Sequence, residues 1–216
     1  MTRIRFAPIL PADDPAALAE ALRLLQAGAI VVFPTDTVYG VGAHGLREAA
    51  VSRLFDAKLR ERDKAIPLLL SDASDVELVG VDIPALAREL MARYWPGGLT
   101  LVVRARSGLP PSLTPGGDTV AVRVPDHPTP RALARALGVP LAATSANLSG
   151  KPPATTAAAA ATALADRVAL VLDGGPSSVG VASSVIDCTT DPPRILRAGA
   201  LADDPALATL LGRRPD

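Results

Sequence analysis

The stretch Val31-Val32-Phe33-Pro34-Thr35-Asp36-Thr37-Val38-Tyr39-Gly40-Val41-Gly42 constrains the fold more than any other in this 216-residue chain. An apolar run from about Ala29 to Phe33 reads as a buried strand, stopped by Pro34. Three small polar side chains follow, and two glycines are expected to turn the chain before a helical pattern at Glu48 to Lys58. That layout belongs to an α/β binding loop, in which a buried strand ends and presents polar groups at its carboxyl edge. An ordinary strand-to-helix connection would look the same in isolation. The functional reading gains weight because other polar clusters also stand at the ends of apolar runs.

Those clusters come in order along the chain. Lys58-Leu59-Arg60-Glu61-Arg62-Asp63-Lys64 holds four cations and two anions between a helix and a strand at Ile66 to Leu70. A solvated helix end explains many such runs, but Lys58 and Arg60 can also flank the Thr35 loop, where two cations suit phosphates. Arg123 lies in the apolar run Val120 to Val124, facing the opposite side from Val122 and Val124. Burial there requires a carboxylate, from the protein or from a ligand. Thr144-Ser145-Ala146-Asn147-Leu148-Ser149-Gly150-Lys151 closes a short strand from Pro140 to Thr144 with the hydroxyls, amide and glycine of an anion or ribose cradle. Ser183-Ser184 precedes a strand at Ser184 to Asp187, and Arg197 follows one at Arg194 to Leu196.

The remaining elements complete an α/β pattern. Strands are expected at Met1 to Pro8, Leu99 to Arg104 and Val168 to Leu172. Helices are expected at Pro15 to Ala27, Ser74 to Leu78, Pro84 to Tyr94, Pro128 to Leu137, Thr155 to Ala165 and Pro205 to Leu211. Pro110 to Asp118, with three prolines and two glycines, reads as a surface loop. No repeat or linker divides the chain, so residues 1–216 read as one domain, a mixed, twisted sheet with helices packed on it.

Composition narrows the function classes. Apolar residues make up 49% of the chain and mean hydropathy is +0.29, enough for a sizeable core. The 22 basic and 22 acidic residues balance, and only six residues are aromatic. A dedicated RNA binder shows a basic excess and stacking aromatics, so RNA binding is expected to be weak at most. Cys188 is the only cysteine, which rules out an internal disulfide and a cysteine metal cluster. The N-terminus lacks an apolar leader core and no apolar stretch suits a membrane span, so a cytoplasmic location is expected. Of the 22 basic residues only Lys58, Lys64 and Lys151 are lysines, which marks them as candidates for sites needing a compact ammonium. His44 and His127 fit no Ser-His-Asp pattern, and no Walker or Rossmann glycine fingerprint is present. The chemistry expected is anion binding and orientation of reactants without a protein nucleophile.

Taken together, Phe33 to Gly42, the Lys58-x-Arg60 pair, Trp95-Pro96-Gly97, Ala121 to Pro125 and Thr144 to Gly150 resemble the YrdC-like family of L-threonylcarbamoyladenylate synthases. The resemblance runs from about Ala16 to Gly199. It implies an open α/β fold with a large concave, partly basic cavity. It also implies condensation of L-threonine, bicarbonate or CO2, and ATP into threonylcarbamoyl-AMP and pyrophosphate. The product would serve threonylcarbamoylation of tRNA adenosine by a separate transferase complex. By motif, the resemblance makes Thr35, Arg123 and Ser183 threonine contacts and Lys58, Arg62, Ser145, Asn147 and Arg197 ATP contacts. Lys58 and Arg60 would serve the chemical step. Mg2+ would ride on the nucleotide phosphates, with no dedicated protein metal site. Many relatives place proline after the Lys-x-Arg pair; here Glu61 stands there, which puts the role of Arg62 in question. The chain looks like the short form of the family. A carbamoyladenylate-forming module is a rival within enzymes, although such modules usually sit inside much longer chains.

Overall fold

The computed structural model describes residues 6–212. Its scaffold is one mixed sheet of eleven strands, ordered β1-β9-β2-β3-β8-β4-β7-β6-β10-β11, with β5 paired to β6. The strands are β1 (Ile9–Pro11), β2 (Val31–Phe33), β3 (Gly40–His44), β4 (Leu68–Leu69), β5 (Gly80–Val81), β6 (Leu99–Ala105), β7 (Thr119–Arg123), β8 (Leu141–Ser145), β9 (Leu170–Asp173), β10 (Ser184–Asp187) and β11 (Arg194–Arg197). The helices are α1 (Pro15–Gln26), α2 (Glu48–Lys58), α3 (Ala85–Tyr94), α4 (Pro128–Leu137), α5 (Ala157–Leu164) and α6 (Pro205–Leu210). Ser74 to Leu78, expected as a helix, is a 3-10 turn spanning Ala73–Leu78. The edge strand expected at Met1 to Pro8 falls largely outside the described residues; the observed edge strand begins at Ile9.

The continuous apolar runs are explained by burial on both sheet faces. Val31 and Phe33 face a core with Ala17, Ala21 and Leu25 of α1 and Leu133 of α4. Val32 faces the opposite core, built with Leu54 and Phe55 of α2, Leu90 of α3 and Ala160 of α5. Leu68 and Leu69 divide between the two cores in the same way. Local signals fix the helix ends. Asp14 accepts the Ala16 amide and precedes Pro15 at the first turn of α1, while Leu59 ends α2 in the left-handed conformation.

The glycines after Tyr39 behave differently from the expected turn. Gly40 and Gly42 belong to β3, antiparallel to β2, with Gly40 opposite Phe33 and Gly42 opposite Val31. A Cβ at either would lie 2.8 Å from the Phe33 ring. These glycines make room for a phenyl ring on the sheet surface, and the chain turns earlier, at Pro34 to Tyr39.

Candidate active site

The Pro34–Tyr39 turn organises itself around Thr35. The Thr35 hydroxyl donates to the Val38 carbonyl at 2.6 Å and accepts the amides of Thr37 and Val38, each at 3.3 Å. Its two neighbours then reach across the sheet. Arg123, last residue of β7, donates from Nη2 to Asp36 Oδ1 at 2.6 Å, from Nη1 to Thr37 Oγ1 at 2.8 Å and from Nε to the Gly97 carbonyl at 2.8 Å. The Arg123–Asp36 pair is buried, its side chains 7% and 9% exposed. The internal carboxylate that a buried Arg123 requires is therefore Asp36, which also accepts the Asp126 amide at 3.1 Å. Among the described residues, three of the five guanidinium N–H groups are engaged and two are not.

A cavity of about 310 Å³ opens beside this cluster. Thr35, Arg60, Arg123, Ser145, Ser183 and Arg197 all line it, over an apolar floor that includes Val102 and Val185. Six of the nine residues singled out in the sequence thus converge from six separate segments. Ser183 sits in a polar pair, its hydroxyl 2.8 Å from that of Thr100 and accepting Arg197 Nη2 at 3.0 Å. Arg197 Nε donates to the Ser183 carbonyl at 2.8 Å. Arg60 folds its own loop, donating to the Lys64 and Ala65 carbonyls at 3.2 and 3.0 Å.

Among the described residues, neither Arg60 nor Arg197 forms an ion pair. Burial lowers the proton affinity of both, and Arg197 lowers that of Arg60 further. Burial does the same to Arg123, against the pull of Asp36. These cations remain protonated at neutral pH, so their mutual repulsion and desolvation favour an anion between them.

Three residues stand elsewhere. Lys58 is 1% exposed, behind the cavity wall, with its ammonium on the backbone carbonyls of Ser145 and Asn147 instead of in the open cavity. Asn147 is buried beside it, its amide donating to the Leu148 and Lys151 carbonyls. Arg62 turns away from the cavity: it donates to Ser52 Oγ at 2.7 Å and to Asp56 at 2.9 Å, and lies over the Phe55 ring. The phosphate contact expected of Arg62 stays a proposal; here its guanidinium is held by Ser52 and Asp56 of α2. Sequence reasoning assigned no role to Asp36, Thr37, Thr100 or Gly97, though Asp36, Thr37 and Gly97 lie in quoted motifs. Thr100, a buried polar residue in an apolar strand, was the signal available for the partner of Ser183.

A cationic cavity at the carboxyl edges of β2 and β7 in a mixed α/β sheet is the architecture of a ligand-binding protein for anionic small molecules. Similar proteins define its family. The family described as "Sua5_yciO_yrdC: Telomere recombination" matches residues 23–199, and this chain belongs to it. Threonylcarbamoyl-AMP synthase of Bacillus subtilis is 43% identical over 196 residues, covering 90% of this chain and 56% of the relative. A putative threonylcarbamoyl-AMP synthase of Mycobacterium tuberculosis is 39% identical over 202 residues, covering 94% of this chain and 92% of the relative. Sua5 of Pyrococcus abyssi, solved in complex with L-threonine, superposes with a TM-score of 0.87 at 39% identity, covering 91% of this chain and 57% of that one. The chain therefore spans little more than half of the B. subtilis and P. abyssi proteins and nearly all of the M. tuberculosis one.

Proposed function

We propose that this protein is an L-threonylcarbamoyladenylate synthase, joining L-threonine, bicarbonate or CO2, and ATP into threonylcarbamoyl-AMP and pyrophosphate. The observation that carries the reading is the convergence of Arg60, Arg123 and Arg197 on one cavity where only Arg123 has a carboxylate partner. The names of the relatives and the threonine complex of the P. abyssi protein support the choice of substrates.

In this proposal the two uncommitted N–H groups of Arg123 hold the threonine carboxylate, and Thr35 and Ser183 place the rest of the amino acid. The threonine amine adds to CO2, forming an N–C bond and releasing a proton, which yields a carbamate. A carbamate oxygen then attacks the α-phosphorus of ATP. The new P–O bond forms as the bond to pyrophosphate breaks, and the electron pair leaves on pyrophosphate. Arg60 and Arg197 offset charge on the phosphates, and Ser145 orients the nucleotide. The chemistry asked of the protein is proximity and electrostatics, with no covalent intermediate. Mg2+ in this scheme comes with the nucleotide. Among the described residues no group of three or more His, Cys, Asp or Glu is placed to hold a metal, which suits an ion bound through phosphates and water. The product would pass to a separate transferase for tRNA modification.

The test is incubation with ATP, 13C-bicarbonate and L-threonine, followed by mass measurement of the adenylate. The expected product is threonylcarbamoyl-AMP heavier by one mass unit. Formation of AMP or ADP alone would contradict the assignment.

A further inference from the structure

Lys58 is the last residue of α2, and its side chain runs inward beneath the loop that follows β8. Its Nζ donates to the carbonyls of Ser145 and Asn147, with Asn147 Oδ1 3.4 Å away. The carbonyl of the same residue accepts the Ser149 amide at 3.0 Å. One residue thus grips the loop at 145, 147 and 149. The loop is closed at its far end by the Asn147 amide on the Lys151 carbonyl at 2.6 Å and by Gly150, whose φ of +78° suits glycine. Ser145, at the near end, lines the cavity, whereas Lys58 does not.

We propose that Lys58 is a positioning residue: its ammonium fills a cage of three loop oxygens, and thereby sets Ser145 and the wall on which the nucleotide lies. The proposal deepens the nucleotide reading of the cavity and rests on it for the binding consequences alone. Three points favour a strut over a direct phosphate contact. The three N–H donors of an ammonium match three converging oxygens, a geometry that the planar guanidinium used at 19 of the chain's 22 basic positions does not reproduce. Lys58 is 1% exposed, so reaching a phosphate would require breaking hydrogen bonds to the part-buried Ser145 and the buried Asn147 carbonyls, whose desolvation would then go uncompensated. The charged group nearest in effect is Arg60, a like charge that lowers the proton affinity of Lys58 and itself lines the cavity. The division of labour is therefore explicit: Arg60 faces the ligand and Lys58 faces the loop.

The test uses the full chain with Lys58→Ala. Hydrogen exchange of the 145–150 amides is measured without ligand, and ATP and L-threonine affinities are measured in the presence and absence of n-propylammonium, with tetramethylammonium as the control. The expected result is at least tenfold faster exchange at Ser149, ATP binding weakened at least tenfold and threonine binding within twofold. Propylammonium, which replaces the missing stem and charge, should restore both loop protection and ATP binding; tetramethylammonium, which has no N–H, should restore neither. Unchanged loop exchange in the ligand-free variant overturns the proposal, as does rescue by both cations alike. A second measurement needs no variant. With only three lysines in the chain, the 15N ammonium resonance of wild-type Lys58 can be assigned. It should show couplings across the hydrogen bonds to the carbonyl carbons of Ser145 and Asn147; an ammonium that exchanges freely with water and lacks them overturns the proposal. If wild type fails to bind ATP, the nucleotide reading falls, while loop exchange and these couplings still decide the strut.

Discussion

At Arg123 the requirement of a buried guanidinium and the proposed requirement of a substrate carboxylate meet in one side chain. Asp36 pairs with the guanidinium beside the cavity, and the proposed function gives its remaining N–H groups to a carboxylate. Arg123→Lys removes the planar fork, and threonine binding should weaken by about 1–3 kcal/mol with ATP affinity little changed, as read by calorimetry. Asp36→Ala leaves Arg123 buried without its partner and should cost about 3–5 kcal/mol of folding stability in a urea titration; a loss below 1 kcal/mol would show the pair to be dispensable. Lys58 supplies a pH signature. Burial pushes its ammonium down to about 8 from an ordinary 10.5, so between those values the unfolded chain holds more protons than the folded one. Stability contributed at this site must then rise with pH across that window. The difference in unfolding free energy between wild type and Lys58→Met should shift in favour of wild type from pH 8 to 10.5; a difference that is flat or moves the other way would contradict the burial of a titrating ammonium.

Elements place these residues, and two glycines show how tightly. A Cβ at Gly42 would meet the Phe33 ring at 2.8 Å and the Ala142 carbonyl oxygen at 3.1 Å. Gly42→Ala should destabilise by about 1–3 kcal/mol, and Phe33→Leu in the same chain should recover part of that loss, because the clash is mainly with a side chain. Gly199 differs, since a Cβ there would lie 2.4 Å from the Ala182 carbonyl oxygen and 2.5 Å from the Ser183 backbone. Gly199→Ala must therefore move the segment carrying Ser183, and threonine binding should fall in a protein that still folds. Retention of wild-type threonine affinity would show that Ser183 tolerates displacement. These same elements mark what could be read in advance. The strand at Ser184 to Asp187 and the helices at Glu48 to Lys58 and Pro128 to Leu137 are legible from apolar spacing, with Gly138 ending the last of them. β3 was hidden because Gly40 and Gly42 mimic a turn; their actual constraint, the Phe33 ring on the neighbouring strand, is tertiary. At the site, the polar clusters singled out in the sequence supply six of the residues that line the cavity. The directions of Lys58 and Arg62 could not be read from a charge run, because they depend on which carbonyls and carboxylates the fold brings near.

For the whole molecule, membership of the Sua5/YciO/YrdC family and the mixed sheet set the frame, and no described helix is long and apolar enough to cross a membrane. In the proposed function, the arginine-lined cavity couples three substrates in one reaction. If threonine is told from serine chiefly by burying one methyl, discrimination is limited to about 10- to 200-fold, and serine should be a slow but measurable substrate at saturation. The most direct test is pyrophosphate release from ATP with threonine and bicarbonate supplied together and omitted in turn. Release is expected only with both present, abolished in Arg197→Ala and retained in Arg62→Ala, whose side chain stands outside the cavity. Release that persists without threonine or without bicarbonate, or its absence from the complete mixture, would contradict the proposed function.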